Sequence, residues 1–436
     1  MLDRLREKNP LPAGAMPVAA GLVVAGVANF GFLPIAYRSL SPDDYAALGV
    51  LWSLMFAVGN GVMQPVEQEV ARAVSERRAR GVGPGPVIKM AGTIGAIFAL
   101  VLAALALLTR QWVLDPLFDG QTGLELAFLL GLFTFCVGHL TRGTLSSHGR
   151  FGAYGIFFSI DGLFRLVAAA ALALAAVAMV GAYGLALALS PLVAAGIALI
   201  RQRGLLEAGP EAKWSELSRA LGWLLAGTVS IALIQQGGTV AVQVLATDDE
   251  EAAAGVFLNG LVLARIPLFM FQAVLASLLP KLSHLAGAGH LDEFTTALRR
   301  LVAVILGFGA VAVVLAATIG PAVASKVFAG ETGLTGRDLG LLAASVIMII
   351  AAICLDQALI ALSGHSRMAI GWMLALVVFV VVIALGDDLF LRVELGMLAA
   401  SVVAFVWMWA WLAERLRHHA KGREIDLAEA AAELQM

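Results

Sequence analysis

Charged residues are scarce in this chain of 436 residues, and their scarcity argues against a water-soluble protein. Only 14% of the residues are charged and 60% are hydrophobic, with a mean hydropathy of +0.89. Soluble domains carry about 25% charged residues. A surplus of apolar residues on this scale indicates that lipid is the solvent for much of the protein surface. The net charge of −2 and the dispersed basic residues argue against nucleic acid as a partner.

Cysteines and catalytic motifs are also sparse. The two cysteines, Cys136 and Cys354, fall within apolar runs with no neighbour at metal-ligand spacing, so we expect small buried side chains. The chain has no Walker A sequence, no HExxH, no nucleophile elbow and no cluster of His and Cys. The acidic run at 248–251 is typical of a solvated turn. We therefore expect no cofactor, no metal and no ATP hydrolysis.

Twelve apolar segments are each long enough to cross a bilayer as a helix, which takes about 20 residues. They lie near residues 12–37, 45–69, 87–108, 122–145, 153–178, 180–200, 218–246, 252–279, 299–320, 338–362, 367–386 and 393–414. Most of the 29 Lys and Arg then fall on the side of the amino terminus, and such an excess marks the cytoplasmic side. The sequence predicts an all-α polytopic protein of the inner (cytoplasmic) membrane with both termini in the cytoplasm.

The middle of the chain contains one polar segment, 201–217, that has the composition of a cytoplasmic linker. We predict an amino-terminal six-helix lobe over 1–200, a carboxyl-terminal lobe over 218–414 and a cytoplasmic tail over 415–436. A weak repeat supports two halves, because DDYAALGV at 43–50 and DEEAAAGV at 249–256 match at five of eight positions. Six helices per half is an even number, so the two lobes would be parallel repeats related by an axis along the membrane normal.

Two arginines fall inside predicted spans, where ionisable side chains are costly and usually face a bundle interior or a water-filled cavity. Arg265 lies in the eighth span, and Pro267 removes a backbone donor there and loosens the helix. We expect Arg265 to face a cavity between the lobes and to bind an anionic group; the alternative is a structural ion pair. Arg165 follows Asp161 by four residues, which is the spacing of a pair on one helix face. This pair is either part of a substrate site or only a device that eases insertion.

Other polar side chains within the spans are candidates for the same interior. Glu67 and Asp356 are candidate coupling-ion sites, although a solvated extension of the second helix and helix packing, respectively, explain them as well. Candidate substrate contacts are Asn29, Gln64 and Gln235, together with their neighbours Asn60 and Gln236. Each of these amides alone is more often an interhelical hydrogen-bond partner than a substrate contact.

Residues 255–294 resemble the eighth-helix region of the multidrug/oligosaccharidyl-lipid/polysaccharide (MOP) exporter superfamily. Its polysaccharide-flippase branch often has an Arg-x-Pro-Leu-Phe run followed by a proline and a short basic loop. The residues that match here are Arg265, Pro267, Leu268, Phe269, Pro280 and Lys281. Residues 40–61 are similar to the entry to the second helix in that family, where a Leu-Ser/Gly-Pro-x-x-Tyr/Phe turn precedes a helix of small residues.

This resemblance implies a fold of the kind found in multidrug and toxic compound extrusion (MATE) transporters, with two lobes, a central cavity and alternating access. The implied function is flipping a polyprenyl-diphosphate-linked glycan from the inner to the outer leaflet. Its partners would be membrane lipid and the enzymes that assemble cell-envelope glycans. A cation-coupled drug or metabolite antiporter of the same superfamily is the first alternative. A peptidoglycan-precursor flippase is a weaker alternative, because that branch usually has two additional carboxyl-terminal helices. A membrane glycosyltransferase is weaker because such enzymes usually need a sizeable outer loop. A scaffold is weaker because it would not require charge within the spans.

Overall fold

The computed structural model consists of helices and connecting loops in the residues it describes. These are 15–214, 221–247, 250, 252–268, 271, 282, 285, 290–328, 333–362 and 364–433, with side chains from Met16 to Arg417 apart from Leu221. Besides a short helix at Leu114–Leu117 and helical residues at 266–268, 271, 282 and 285, these residues form twelve helices, α1 to α12 in chain order. Their bounds are Ala15–Ser39, Pro42–Ala79, Gly85–Leu108, Thr122–Ser147, Phe151–Leu174, Val180–Ala198, Leu221–Leu245, Ala253–Ala264, Leu291–Val327, Gly336–Ala361, His365–Leu385 and Leu389–Glu433.

Eleven of the described helices are long and apolar enough to cross a membrane, and each corresponds to one of the predicted spans. The protein is therefore a multi-pass membrane protein. The exception is α8, which ends at Ala264 after 12 residues. Pro267 accounts for a break here, because a proline lacks a backbone donor and its ring clashes with the carbonyl four residues earlier; helical geometry resumes at 266–268. The rest of the predicted span 252–279 lies largely outside the described residues.

The helix boundaries follow from local chemistry at the connections. Ser41 caps α2, since its Oγ accepts a hydrogen bond from the backbone N–H of Asp44 at 3.2 Å, and Pro42 occupies the first helical position, where its missing donor is not needed. Thr335 and Asp338 form a reciprocal capping box at the start of α10. These caps allow short turns between long helices.

The helices pack in two groups of six, and the packed pairs correspond between the groups. In the first group the packed pairs are α1–α5, α2–α4, α3–α4, α4–α6 and α5–α6. The second group contains the pairs six helices later, namely α7–α11, α8–α10, α9–α10, α10–α12 and α11–α12. The chain thus has two lobes of like helix packing. The exact lobe boundaries and the axis that relates the lobes stay predictions.

The two lobes meet along α2, which packs against α7 and α8. The Tyr45 hydroxyl donates to Asn259 Oδ1 at 2.5 Å, and both side chains are fully buried. Halfway along α2, the Thr228 hydroxyl donates to the carbonyl oxygen of Gly61 at 2.8 Å. Gly61 lies in a π-helical turn, Gly59–Met63, that interrupts the α geometry of α2. A π turn is often found at functional sites, and here it lies on the lobe interface.

Further contacts join the lobes at the end of the molecule that the charge distribution predicts to be outside. Arg38 at the end of α1 donates to the carbonyl oxygen of Val327 at the end of α9, at 2.7 Å. The rings of Tyr37 and Phe328 meet edge to face with centroids 5.6 Å apart. The lobes are therefore in contact with each other at the predicted outer end.

Glycine allows α1 and α5 to approach closely. A Cβ on Gly155 would collide with the carbonyl oxygen of Pro17 and lie 3.3 Å from the backbone nitrogen of Val18. We predict that Gly155→Ala lowers the midpoint of thermal unfolding in detergent, because the helices must move apart. Gly152→Ala is the matched control, since no described heavy atom lies within 4 Å of its Cβ position. Equal midpoints for the two variants would contradict this packing.

The predicted orientation can be tested at two exposed loop positions. Asp387 lies between α11 and α12, and Arg203 lies in the linker after α6. We expect Asp387→Cys to react with a membrane-impermeant maleimide added to intact cells, and Arg203→Cys to react only after the cells are opened. The native cysteines Cys136 and Cys354 are buried, so the background is expected to be low. Labelling in the reverse order would invert the topology.

Candidate functional site

A polar network lies inside the amino-terminal lobe and is centred on the fully buried Arg165 of α5. Its Nη2 donates to both carboxylate oxygens of Asp161 at 2.7 Å, and its Nη1 donates to Asn29 Oδ1 of α1 at 3.2 Å. Its Nε donates to the hydroxyl of Ser190 on α6 at 2.7 Å. The structure thus brings three predicted site residues, Asn29, Asp161 and Arg165, into one network. The pairing along one face of α5 predicted from the four-residue spacing is confirmed.

Two aromatic rings of α2 cover the Arg165 guanidinium. Its Cζ lies 5.9 Å from the ring centroid of Trp52 and 5.4 Å from that of Phe56. Aromatic faces attract cations at such distances. The network therefore connects α1, α2, α5 and α6 around one cation that is already neutralised by Asp161.

A second cluster lies around Glu67 of α2, towards the end of the lobe that carries the linker. The carboxylate oxygen Oε2 is 2.8 Å from His139 Nδ1 and 3.2 Å from Arg142 Nη2, both on α4. The Tyr154 hydroxyl of α5 donates to Oε1 at 3.1 Å. Glu67 and His139 are both buried. The alternative of a solvated Glu67 is therefore wrong, and Arg142, near the end of the predicted span 122–145, lies within α4.

The two clusters lie on one stripe of α5. Tyr154, Phe158, Asp161 and Arg165 follow one another at spacings of three and four residues, so they share a helix face. The Arg142 guanidinium lies 4.7 Å from the ring centroid of Phe158, between the two clusters. The stripe connects the linker end of the lobe with its interior through polar and aromatic side chains.

In the carboxyl-terminal lobe, Arg265 lies at the end of α8, where the helix stops. Its Nη1 donates to Gln236 Oε1 of α7 at 3.0 Å, and its Nη2 donates to the carbonyl oxygen of Gln235. The side chain is 7% exposed. Both partners belong to the same lobe, and both are uncharged. No carboxylate forms an ion pair with Arg265 within the described part of the chain.

The remaining predicted residues lie apart from these groups. Gln64 is half-buried at the end of the π turn of α2, and Asp356 is half-buried on α10. The Asp356 Oδ1 atom has no hydrogen-bond partner among the described residues. Of the residues matched to the MOP pattern, Phe269, Pro280 and Lys281 lie outside those that the structure describes.

Several side chains that shape these groups were missed by the sequence analysis. His139, Tyr154 and Ser190 each join a network, and the polar periodicity of α5 was the available signal for Tyr154. Glu394 of α12 is fully buried, and neither of its carboxylate oxygens has a hydrogen-bond partner in the described ranges. Burying an unpaired carboxylate is costly, so Glu394 is a further candidate functional residue.

The helix arrangement is similar to that of solved transporters. An inward-facing multidrug resistance MATE family transporter of the MOP superfamily superposes with a TM-score of 0.71 at 15% identity, over 90% of this chain and 96% of that chain. The outward-facing conformation of such a transporter gives 0.63 at 14% identity, over 93% and 95%. The higher score for the inward-facing structure agrees with lobes that touch at the predicted outer end.

A MOP superfamily transporter from Pyrococcus furiosus, described as having a binding pocket of reversed polarity, superposes with a TM-score of 0.62 at 14% identity, over 92% of this chain and 95% of that chain. At such identities the likeness is one of fold. The protein has a MATE-like, all-α membrane fold, as the resemblance implied.

No protein-family model matches the chain. Among curated proteins, two uncharacterised proteins of Mycobacterium tuberculosis are similar to it. One is 25% identical over 413 residues, which cover 89% of this chain and 88% of that protein. The other is 26% identical over 445 residues, which cover 95% and 98%. The similarity therefore extends across both lobes in each case, and an argument about cargo has to come from the side chains of this chain.

The buried pair in the amino-terminal lobe makes a test of charge compensation possible. We predict that Asp161→Asn lowers stability by roughly 3–5 kcal/mol, because it leaves the Arg165 guanidinium buried without its countercharge. The double variant Asp161→Asn/Arg165→Met is expected to recover most of that loss, since it removes both charges. Unfolding midpoints in detergent measure this coupling in a double-mutant cycle, which compares the wild type, Asp161→Asn, Arg165→Met and the double variant. A double variant less stable than Asp161→Asn would show that the charges are not coupled.

Proposed function

We propose that this protein is an alternating-access membrane transporter that flips a polyprenyl-diphosphate-linked oligosaccharide or polysaccharide precursor from the inner to the outer leaflet. The MATE-like fold supports transport by two lobes that rock about their interface. It supports no particular cargo, because solved proteins of this fold include multidrug transporters and one with a pocket of reversed polarity. The cargo proposal therefore depends on where this chain buries charge without neutralising it.

Arg265 carries the proposal. It is buried, it has no carboxylate partner among the described residues, and its partners are a side-chain amide and a backbone carbonyl. An ionisable side chain within a membrane bundle is costly and is by default a functional candidate. By contrast, Arg165 and Arg142 are paired with Asp161 and Glu67. Of these three arginines, Arg265 is the one with positive charge left for an anion.

The chemistry of a diphosphate fits such a residue. A diphosphate head group cannot cross hydrocarbon unaided, because burying unpaired charge costs many kcal/mol. The planar guanidinium fork of arginine matches phosphate oxygens, and charge-assisted hydrogen bonds are roughly twice as strong as neutral ones. A phosphate would therefore compete well for Arg265 against the uncharged oxygens of Gln235 and Gln236. These glutamines hold the guanidinium in place until the anion arrives.

The competing function is a cation-coupled drug or metabolite antiporter, which needs carboxylates that a cation can reach. The observation in its favour is that a buried Glu67 and a half-buried Asp161 lie inside one lobe. Both are already neutralised, by Arg142 and Arg165, so a cationic cargo would have to displace an internal arginine. We therefore place the anionic cargo first. Membrane lipid and enzymes that assemble envelope glycans are the partners this function requires.

We predict that Arg265→Gln weakens binding of a polyprenyl diphosphate by tenfold or more, since a hydrogen bond to a charged group contributes about 1.5–3 kcal/mol. Gln236→Glu should have a similar effect for the opposite reason, because it adds a countercharge beside Arg265 and preserves side-chain size. Arg265→Lys should restore binding only in part, because an ammonium lacks the bidentate fork. Binding of a fluorescent polyprenyl diphosphate to purified protein measures all three.

Arg300→Gln is the matched control, because it removes an exposed arginine near the start of α9 and should leave binding unchanged. Unfolding midpoints establish that each variant is folded. Unchanged binding by both Arg265→Gln and Gln236→Glu would defeat the anionic cargo. Binding of a lipophilic cation that depends on Asp161 and not on Arg265 would establish the antiporter instead.

A further inference from the structure

His139 has a chemical environment that the proposed cargo does not explain. Its imidazole is buried in α4, with Nδ1 2.8 Å from Glu67 Oε2. Glu67 also accepts a hydrogen bond from the Tyr154 hydroxyl and forms an ion pair with Arg142. A carboxyl group that accepts from a hydroxyl and pairs with an arginine is held as an ionised acceptor, because both partners stabilise the negative form.

An ionised Glu67 determines which nitrogen of His139 can bind a proton. A carboxylate has no hydrogen to donate, so the Nδ1 atom must carry the hydrogen of the contact. In a neutral imidazole the other nitrogen, Nε2, is then the basic atom with a free electron pair. A Cβ built on Gly59 would lie 3.4 Å from Nε2, so this basic atom adjoins the start of the π turn of α2.

The structure assigns a proton-binding site to His139 Nε2, beside the π turn of α2, and we propose that its protonation drives the separation of the two lobes at their contact. The reaction is simple addition of a proton from water to the Nε2 electron pair, giving an imidazolium. Glu67 and Arg142 together are neutral, so the added proton leaves one net positive charge in a buried cluster. That charge is costly unless the helices around it rearrange.

The helix that would respond is the one that joins the lobes. α2 contains Glu67 and the π turn beside Nε2. Two of its residues, Tyr45 and Gly61, form its described hydrogen bonds to the other lobe. A π turn adds one residue to a helical turn, so its loss or displacement rotates one part of α2 relative to the other. Such a rotation would change the register of Tyr45 and Gly61 against α7 and α8.

The charged groups around His139 are limited to a few side chains. Glu67 faces it from α2 and Arg142 lies one turn away on α4, whereas α5 contributes Tyr154 and, further along its stripe, Asp161. The helices α3 and α6 also pack against α4. Over the described range, α6 has no charged residue, and the only charged residue of α3 is the exposed Lys89. An imidazolium would therefore be attracted mainly to Glu67 and Asp161.

This inference goes beyond the proposed function, because it concerns the energy source and not the cargo. A proton gradient could drive either a glycan flippase or an antiporter through the same site. The readouts below use the proton as the only ligand and need no transported molecule. Failure of the polyprenyl-diphosphate experiment would leave them unaffected, and their failure would leave the cargo proposal standing.

The first experiment titrates the histidines of the purified full-length protein by nitrogen NMR. The chain has seven histidines, and comparison with His139→Gln identifies the His139 signals. We expect a neutral form protonated at Nδ1 and a titration at Nε2 between about pH 5 and pH 8, the range in which histidine can change its charge. A neutral form protonated at Nε2, or no titration in that range, would overturn the assignment.

The second experiment measures the lobe separation at the predicted outer end. Asp43 and Asp387 are both exposed and lie in different lobes. Double electron–electron resonance between spin labels at these two positions reports the distance between the lobes. We expect the distribution to shift to longer distances on going from about pH 8 to pH 5, as His139 becomes charged. His139→Gln keeps a donor for Glu67 but cannot become a cation, so its distribution should not change with pH.

His148→Gln is the matched control, because it removes an imidazole at the end of α4 whose described contacts are with Ser147 and Thr144 and not with the Glu67 cluster. It should keep the wild-type pH response. If His139→Gln does not fold, Glu67→Gln gives the second test, since the imidazolium then lacks its countercharge and the response should be lost. A pH response that persists in whichever of these two variants folds would show that another group drives the change.

Discussion

Compensation of buried charge is the constraint on which this structure depends. A bundle surrounded by lipid cannot solvate an ion, so each buried arginine has to find a carboxylate, an oriented carbonyl or an aromatic face. Arg165 has all three kinds of partner, namely the Asp161 carboxylate, the amide carbonyl oxygen of Asn29 and two aromatic rings. Arg265 has only uncharged oxygens. This difference between two arginines at similar burial distinguishes the closed network around Arg165 from the proposed anion site at Arg265.

The two lobes therefore have different electrostatic characters. The amino-terminal lobe contains paired charges arranged along one face of α5, with a histidine that can add one further charge. Among its described residues, the carboxyl-terminal lobe contains a cation without a carboxylate partner at a helix break, together with the Glu394 carboxyl, whose oxygens have no hydrogen-bond partner there. In an alternating-access transporter, cargo binding and energy input have to act on the same lobe movement. If cargo binds in one lobe and energy enters in the other, one helix has to link the two sites. α2 packs against helices of both lobes.

α2 owes this role to small residues and to its irregular middle. Glycines at 49, 59 and 61 have neighbouring atoms so close that an added Cβ would be crowded, and two of these contacts are across the lobe interface. The π turn Gly59–Met63 lies between the segment that contacts α8 and the segment that holds Glu67. Small residues permit close approach, and approach this close makes the contact sensitive to a small rotation of the helix.

The sequence by itself determined that this is a membrane protein, the number of helices and most of their bounds, because in lipid each backbone group must be paired within the protein and apolar segments of about 20 residues achieve this as helices. It also determined the Asp161–Arg165 pair and the loosening of the eighth helix near Pro267, since both follow from spacing and backbone chemistry within one helix, although it predicted one continuous span over 252–279 where the structure has a break after Ala264. The tertiary structure alone decided that Glu67 is buried against His139, that Arg142 belongs to the interior, and that Arg265 has no carboxylate partner among the described residues. These facts depend on which helices are neighbours, and residues 67 and 139, or 236 and 265, meet through packing that no local pattern encodes.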